Sequence, residues 1–224
     1  MNAGADRLPI VVLISGSGSN LRAIAECARG GTLPVEIRAV ISDRSAAAGL
    51  AWAANAGLPA IAISPRDFAD RAAFDRALAD RIEGYAPRLV VLAGFMRILG
   101  REFVERFAGR MLNIHPSLLP RHRGLHTHQR ALEAGDAVHG ASVHFVTPEL
   151  DGGPVVLQAR VPVRTDDDEA TLAARVLAQE HRIYPECIGW YAAGRLQFRD
   201  GAAWMDGRVL EAPLILEVSD EVAA

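Results

Sequence analysis

The chain has 224 residues, half of them hydrophobic, and a formal net charge of −3. This length suits one domain with a large core that needs neither disulfides nor a structural metal. The composition excludes a basic nucleic-acid-binding domain and a disordered chain.

The cysteines and the N-terminus indicate a cellular location. Cys27 and Cys187 lie far apart in helix-like apolar patterns, as reduced core cysteines usually do. Residues 1–7 lack the basic-then-apolar order of a signal peptide, and no apolar run reaches the roughly 18 residues of a membrane span. We therefore expect a cytoplasmic protein with no membrane and no nucleic-acid partner.

The first half alternates strand-like and helix-like patterns. The strands are continuous apolar runs, typical of strands covered on both faces, at 10–14, 35–41, 60–63 and 89–92. The helical patterns between them cover residues 21–28, 46–56 and 68–83. This alternation predicts an α/β fold: a Rossmann-like, doubly wound, mostly parallel sheet flanked by helices.

Three loops follow predicted strands, at 15–20, 94–98 and 113–120. Ligands of doubly wound sheets bind outside the carboxyl ends of the strands, so we expect these loops to share one rim. The first loop joins a strand to a helix and is rich in glycine and serine, which suits an anion. It matches neither a Walker loop nor a dinucleotide fingerprint, so a plain tight turn is the alternative.

The pattern changes after Pro120. A helix is predicted at 126–134, and two strand-like runs at 141–146 and 155–163 flank a turn-rich loop, which predicts an antiparallel hairpin in the C-terminal half. A long helix at 170–190 follows, then a small hairpin from 196–198 and 204–209. We expect a single domain over 1–224, with a nucleotide-binding-like half at 8–110, a catalytic half at 111–210 and a frayed acidic tail at 211–224.

Asn113 and His115 lie two residues apart at the end of an apolar run that begins at Met111. Alternate strand residues share a face, so the amide and the imidazole should point together. Pro116 and Pro120 stiffen the exit from this strand. The alternative is that His115 only caps the strand and Asn113 only forms a hydrogen bond in a turn.

The motif Asn-Ile-His-Pro-Ser-Leu-Leu-Pro at 113–120 resembles the active-site signature of the folate-dependent formyltransferases. The Leu-Asp-Gly-Gly string at 150–153 is similar to the second half of that signature, although an Asp-Gly-Gly alone would indicate an ordinary turn. The resemblance implies the formyltransferase fold and a catalytic triad of Asn113, His115 and Asp151.

These residue types suit formyl transfer to an amine. The attack creates a negative oxygen, which Asn113 and a protonated His115 could stabilise by donating hydrogen bonds. Asp151 would hold the imidazole charged and relay the proton that the amine loses. His144 and Ser142 share one strand face, and we expect them to support the triad.

Other strings are most similar to those of the family members that transfer a formyl group from 10-formyltetrahydrofolate to glycinamide ribonucleotide. The resemblance implies that this reaction needs no metal. The strings lie at 15–20, 92–99, 124–128 and 139–146. The resemblance implies that the ribonucleotide binds at Gly18, Ser19, Asn20 and Glu180. It implies that the folate binds at Arg71, Met96, Arg97, Ile98, Leu99, Asn113, Thr147 and Asp151. The oligomeric state is open between monomer and homodimer.

Glu180 also stands out without the resemblance. It falls on the apolar stripe of the long helix, which is formed by Leu172, Val176, Ile183 and Cys187. A buried carboxylate needs a partner, so Glu180 should either have one or reach solvent at the rim. His126 and His128 flank a helix start and leave zinc ligation as a minor alternative.

Three other functions remain as alternatives. Methionyl-tRNA formyltransferases share the Ser-Leu-Leu-Pro-x-x-Arg-Gly string, but they are longer and carry a tRNA-binding domain. Formyltetrahydrofolate deformylases carry an additional N-terminal domain. A non-catalytic folate- or nucleotide-binding module would not need the triad. One departure from the family pattern is His122, where close relatives often have an aromatic residue.

Overall fold

The computed structural model describes residues 7–217 of the chain. The strands are β1 (Leu8–Ile14), β2 (Val35–Ser42), β3 (Ala60–Ala62), β4 (Leu89–Leu92), β5 (Met111–His115), β6 (Val138–Phe145), β7 (Val155–Pro162), β8 (Leu196–Arg199), β9 (Ala202–Met205), β10 (Arg208–Val209) and β11 (Leu214–Glu217). The helices are α1 (Ser19–Arg29), α2 (Ala48–Asn55), α3 (Arg71–Glu83), α4 (Arg101–Arg106), α5 (Thr127–Glu133) and α6 (Glu169–Ala192), with a 3-10 helix at Pro65–Asp67.

The central sheet has the order β11-β7-β6-β5-β4-β1-β2-β3, and a second sheet has the order β10-β9-β8. Strands β1 to β5 pair in parallel, whereas β6 is antiparallel to both β5 and β7. The mostly parallel, doubly wound sheet and the antiparallel hairpin are therefore confirmed. The small antiparallel sheet contains the predicted terminal hairpin.

The sheet is covered on both faces, and its central strands β1 and β4 are apolar and buried at every position. In β1, Ile10 and Val12 pack on one face in the core that contains α1 and α6. Val11 and Leu13 pack on the opposite face in the core that contains α3 and α4. This alternation follows from the two-residue period of a strand. None of the helices in the described part combines the length and apolarity needed to cross a membrane.

Three details differ from the sequence predictions. Helix α3 begins at Arg71, rather than near residue 68, because a 3-10 turn precedes it and Asp70 accepts a capping hydrogen bond from Ala73 N–H at 2.7 Å. Helix α4 was not predicted, because six residues show no clear helical period. The expected frayed tail is wrong for Leu214–Glu217, which pairs in parallel with β7; the rest of the tail, from 218 onward, lies outside the described residues.

Candidate active site

The loops after β1, β2 and β4 are joined by a buried serine. Ser15 donates from Oγ to Asp43 Oδ1 at 2.6 Å and accepts from Met96 N–H at 2.8 Å. Because β1, β2, β4 and β5 are parallel, their carboxyl ends lie at one edge of the sheet. The predicted rim therefore exists, and Ser15 sets the spacing of its loops.

The structure brings the three proposed catalytic side chains together at this rim. Asn113 and His115 lie at the end of β5, and Asp151 lies in the loop between β6 and β7. His115 Nδ1 is 3.6 Å from Asp151 Oδ2. His144 Nε2, which contacts Asn113, is 3.8 Å from Asp151 Oδ1. An amide, an imidazole and a carboxylate thus share one small volume.

His144 orients the amide of Asn113. It lies directly opposite Asn113 in the antiparallel β5–β6 pair. Its Nδ1 lies 2.9 Å from the carbonyl oxygen of Phe145, which can only accept, so Nδ1 carries the proton. Nε2 then accepts from Asn113 Nδ2 at 3.0 Å. One amide hydrogen of Asn113 is held in this way, and the second remains available to a ligand.

Burial keeps His144 neutral. It lowers the pKa of His144 to about 4, against weaker opposing effects of the Phe145 carbonyl and Asp151. A neutral imidazole can accept at Nε2, which an imidazolium cannot. The neutral state is therefore what allows His144 to hold Asn113.

His115 is fixed from the opposite side of its ring. Its Nε2 donates to the backbone carbonyl of His122 at 3.0 Å, so Nδ1 is the nitrogen that faces Asp151. The His122 side chain lies 2.7 Å from Asp136 Oδ2, and Arg121 contacts the other oxygen of the same carboxylate. The departure at His122 thus provides a side-chain anchor for the loop that orients His115.

Asp151 occupies a constrained position. Its φ of 47° lies in the left-handed region, which aspartate tolerates better than most non-glycine residues. The backbone N–H of Gly124 donates to Oδ2 at 2.9 Å. Ser142 supports the facing loop, because its Oγ donates to Ser117 O at 2.6 Å and accepts from Leu119 N–H at 3.0 Å. His144 and Ser142 therefore both position neighbours of the catalytic groups.

The loop before α1 has the geometry of an anion site. Gly18 precedes the helix with φ 72°, no side chain caps the helix, and its first turn has no acidic residue. The N–H groups of the first helical turn have no partner within the helix, and the helix dipole favours an anion there. Ser17 and Ser19 line one end of a cavity of about 310 Å³, which extends along α1 past Arg22 and Glu26 to His181.

Glu180 has the partner that its buried position requires. It accepts from Asn20 Nδ2 at 2.6 Å and is only 7% exposed. Burial raises the pKa of Glu180 to about 7, and the Asn20 hydrogen bond partly opposes this shift. The buried oxygen Oδ1 of Asn20 has no protein partner among the described residues. The site therefore offers a ligand both a carboxyl group and an unused acceptor.

A narrow pocket opens beside the catalytic groups. Its volume is about 100 Å³, and its walls include Leu92, Phe95, Val104 and Val146. The same pocket is lined by the predicted folate residues Arg97, Ile98, Leu99, Asn113, Thr147 and Asp151. Apolar walls with a few polar groups suit a flat heterocycle.

Two predicted folate residues lie elsewhere. Arg71 lines a separate groove and pairs with Asp75 at 3.7 Å, and the side chain of Met96 is 60% exposed outside the lining of the pocket. Met96 contributes its backbone N–H to Ser15 instead. Among residues 7–217, no group of three or more His, Cys, Asp or Glu residues is placed to hold a metal ion.

Sequence reasoning missed Asp43, Asp136 and Tyr184. The Tyr184 hydroxyl lies between the carbonyl oxygens of Leu92 and Leu112, at 3.0 and 2.8 Å, and so joins α6 to the ends of β4 and β5. Tyr184 could have been found in the same way as Glu180, because both are polar residues within the apolar stripe of α6. Asp43 and Asp136 lie in loops and gave no such pattern.

Comparisons with known proteins agree with this geometry. The family model described as formyl transferase matches residues 8–188. The chain is 55% identical over 201 residues to phosphoribosylglycinamide formyltransferase of Escherichia coli strain K12, covering 90% of this chain and 95% of that protein. It is 44% identical over 188 residues to the human trifunctional purine biosynthetic protein adenosine-3, covering 84% of this chain and 19% of that one.

A solved structure of phosphoribosylglycinamide formyltransferase from Coxiella burnetii superposes with a TM-score of 0.89 at 50% identity, covering 93% of this chain and 99% of that one. The family match spans β1 to most of α6, and therefore every proposed catalytic residue. This chain belongs to the formyl transferase family.

Proposed function

We propose that this enzyme transfers the formyl group of 10-formyltetrahydrofolate to the amine of glycinamide ribonucleotide, in purine biosynthesis. The observation that carries the proposal is the meeting of Asn113, His115 and Asp151 beside an apolar pocket, at the same rim as an anion-binding helix end. The relatives named for this activity support it.

The chemistry begins with attack of the amine on the formyl carbon. The carbonyl electron pair moves to oxygen, where the free amide hydrogen of Asn113 stabilises the charge. His115 Nδ1 and Asp151 are 3.6 Å apart, beyond a normal hydrogen bond, so the N–H of a protonated His115 is available to the same oxygen.

The amine then loses its proton to Asp151, directly or through water. The bond from the carbon to N10 of the folate breaks when the oxyanion collapses, and the proton passes to N10. The products are formylglycinamide ribonucleotide and tetrahydrofolate. Atoms and charges balance with no other reactant.

The substrates occupy different parts of the rim in this proposal. The phosphate binds at Gly18, Ser19 and Asn20, and the sugar hydroxyls bind Glu180. The pterin enters the pocket of Arg97, Ile98 and Leu99. That pocket, at about 100 Å³, is smaller than the roughly 300–1,000 Å³ of typical ligand sites.

The two halves of one domain share this work. Residues 8–110 hold the phosphate, and 111–210 supply the catalytic groups. The enzyme acts as a monomer or a homodimer. Its cytoplasmic location is supported by the free cysteines Cys27 and Cys187.

The deciding experiment offers purified enzyme 10-formyltetrahydrofolate with glycinamide ribonucleotide, with initiator tRNA, or with water alone. We expect rapid loss of the formyl group only with the ribonucleotide. Faster transfer to tRNA, or equal loss to water, would replace this function with one of the alternatives.

Asp151→Asn tests the catalytic assignment. It removes the proton acceptor but keeps the side-chain shape, so kcat should fall by about 100-fold or more while folate affinity changes little. Steady-state kinetics and folate titration measure the two effects. Asp200→Asn is the matched control, because Asp200 has a similar φ of 52° in an exposed turn. Unchanged kcat in Asp151→Asn would remove Asp151 from the mechanism.

A further inference from the structure

The hydroxyl of Tyr184 joins helix α6 to the catalytic strand. It lies 3.0 Å from Leu92 O, at the end of β4, and 2.8 Å from Leu112 O in β5. Leu112 directly precedes Asn113, so the second hydrogen bond reaches the peptide group that holds the proposed oxyanion donor. Burial raises the pKa of Tyr184 well above its usual range, so its hydroxyl keeps the proton that it donates to these carbonyl groups.

The same part of α6 carries the carboxyl group that we assign to the sugar hydroxyls. Glu180 lies four residues before Tyr184, about one helical turn, and residues with this spacing are neighbours on the helix surface. Its hydrogen bond from Asn20, at 2.6 Å, joins α6 to the proposed phosphate loop. One turn of α6 therefore connects the proposed ribonucleotide site to Asn113.

A proline directly after Tyr184 makes this connection more important. Pro185 has no N–H, so α6 lacks the backbone hydrogen bond that would run to His181 O. The loss of such a bond lets the two parts of a helix bend relative to each other. The part that contains Glu180 is therefore fixed less firmly by the rest of α6, and its position depends more on side-chain contacts such as that of Tyr184.

Tyr191 makes a similar pair of contacts at the other end of the same two strands. Its hydroxyl lies 3.4 Å from Arg88 O and 3.3 Å from Gly109 O, within two residues of the starts of β4 and β5. Ligands of doubly wound sheets bind beyond the carboxyl ends of the strands, so this end lies away from the reaction. Helix α6 thus carries two hydroxyls that bridge the same strands, and that of Tyr184 lies beside the catalytic site.

We propose that Tyr184 is a positioning residue for the reaction, whose hydroxyl sets the placement of Asn113 relative to a ribonucleotide held at Glu180. The inference rests on the proposed function, because it requires the sugar to bind Glu180. Attack needs the amine and the formyl carbon aligned at about 3–3.5 Å, and small misplacements slow the reaction strongly. Without the hydroxyl, α6 and β5 can shift relative to each other, which slows the chemical step more than it weakens binding.

Tyr184→Phe tests the proposal, because it removes the hydroxyl and keeps the ring. We expect kcat for formyl transfer to fall by about 10-fold, while KM for each substrate stays within about threefold of wild type. Single-turnover rates, measured well below the Tm of every variant, report the chemical step without product release.

Two controls separate this effect from a general disturbance of α6. Tyr191→Phe removes a hydroxyl that bridges the same strands at their far end. Cys187→Ala shortens a fully buried side chain of the same helix and so lowers stability by a route unrelated to the hydroxyl. Both controls should keep kcat within about twofold of wild type, whatever their shift in Tm.

A double-mutant cycle with Glu180→Ala gives a readout that a purely structural residue would not move. Once the sugar is no longer held by Glu180, the placement of α6 matters less to the amine. Tyr184→Phe should then slow transfer at saturating ribonucleotide by less than about threefold, rather than about 10-fold. A residue that only stabilises the fold would give the same factor in both backgrounds.

Three results would overturn the inference: wild-type kcat in Tyr184→Phe, a matching loss of kcat in either control, or equal factors in the two backgrounds of the cycle. Wild-type enzyme that transfers no formyl group to the ribonucleotide would overturn the proposed function as well. Failure of the positioning role is thereby distinguished from failure of the proposed reaction.

Discussion

Asn113, His115 and His144 meet at the catalytic rim. His144 is enclosed and held neutral, and His115 Nδ1 lies 3.6 Å from Asp151 Oδ2. The motif at 113–120 identified Asn113 and His115, but the residues that hold their side chains by hydrogen bonds lie outside the motif. His122 is seven residues from His115, and His144 is 31 from Asn113. The expected supporting role of His144 was placed without its partner, because the pairing of His144 with Asn113 depends on strand register.

The first residue-scale prediction concerns His144. His144→Leu removes the acceptor of the Asn113 amide, so that amide can rotate away from the reacting oxygen. We expect kcat to fall by about 10- to 100-fold with little change in either KM. His144→Gln places an oxygen near the position of Nε2 and should recover part of the loss. Equal kinetics for His144→Leu and His144→Gln would show that His144 contributes only packing in the core.

The second concerns Glu180, whose pKa burial raises from 4.5 to about 7. Between these values the folded protein keeps a proton that the unfolded chain has released. The free energy of unfolding should therefore fall as pH rises from 4.5 to 7 and stay reduced above 7, by up to about 3 kcal/mol.

Glu180→Gln should remove this contribution. Urea unfolding of both proteins at pH 5 and pH 8 measures it: the variant should gain stability relative to wild type at pH 8, but not at pH 5. A constant difference between the two proteins at both pH values would mean that Glu180 ionises normally in the folded state.

At the scale of elements, long apolar or amphipathic segments could be predicted from sequence, and their ends and the shortest elements could not. The parallel strands and α6 were found because their patterns extend over many residues. The start of α3 depends on a local hydrogen bond, the Asp70 cap. The contact between α2 and the loop at 15–20 brings two glycines together, a tertiary feature that leaves no period in the sequence.

Gly49→Ala tests that contact. A Cβ on Gly49 would lie 2.8 Å from both Gly18 Cα and Ile14 Cδ1, whereas Gly49 N–H already donates to Gly16 O at 3.0 Å. We expect a loss of about 1–3 kcal/mol in stability and a higher KM for the ribonucleotide, because the proposed phosphate loop must shift.

Gly16→Ala is the matched control for stability, since a Cβ there meets nothing within 4 Å. Thermal unfolding compares the two variants, and initial rates at varied ribonucleotide concentration test the effect of Gly49→Ala on KM. If Gly49→Ala were as stable as wild type, the close packing of the two loops would not be a constraint.

At the scale of the whole molecule, the reaction takes place near β5, where the parallel part of the sheet meets the antiparallel part. The sheet order places β11 three strands away from β5, at the edge beyond β7. The sequence did not predict β11, because a segment of only four residues resembles part of a tail. In the structure, Leu214 and Ile215 of this strand are exposed. The strand nonetheless covers the edge of β7, and Arg160 pairs with Glu217 at 3.1 Å.

Removing residues 211–224 should therefore affect stability and spare catalysis. Loss of the strand hydrogen bonds and of the packing of Leu216 should cost about 2 kcal/mol, which lowers Tm by roughly 4–8 °C for a domain of this size. Because β6 and β7 separate β11 from the catalytic strand, kcat well below the new Tm should stay within about twofold of wild type. A chain that ends at Glu217 retains β11 and serves as the control in calorimetry and initial-rate assays. A large loss of kcat in the shorter chain alone would show that the edge strand controls the catalytic geometry across the sheet.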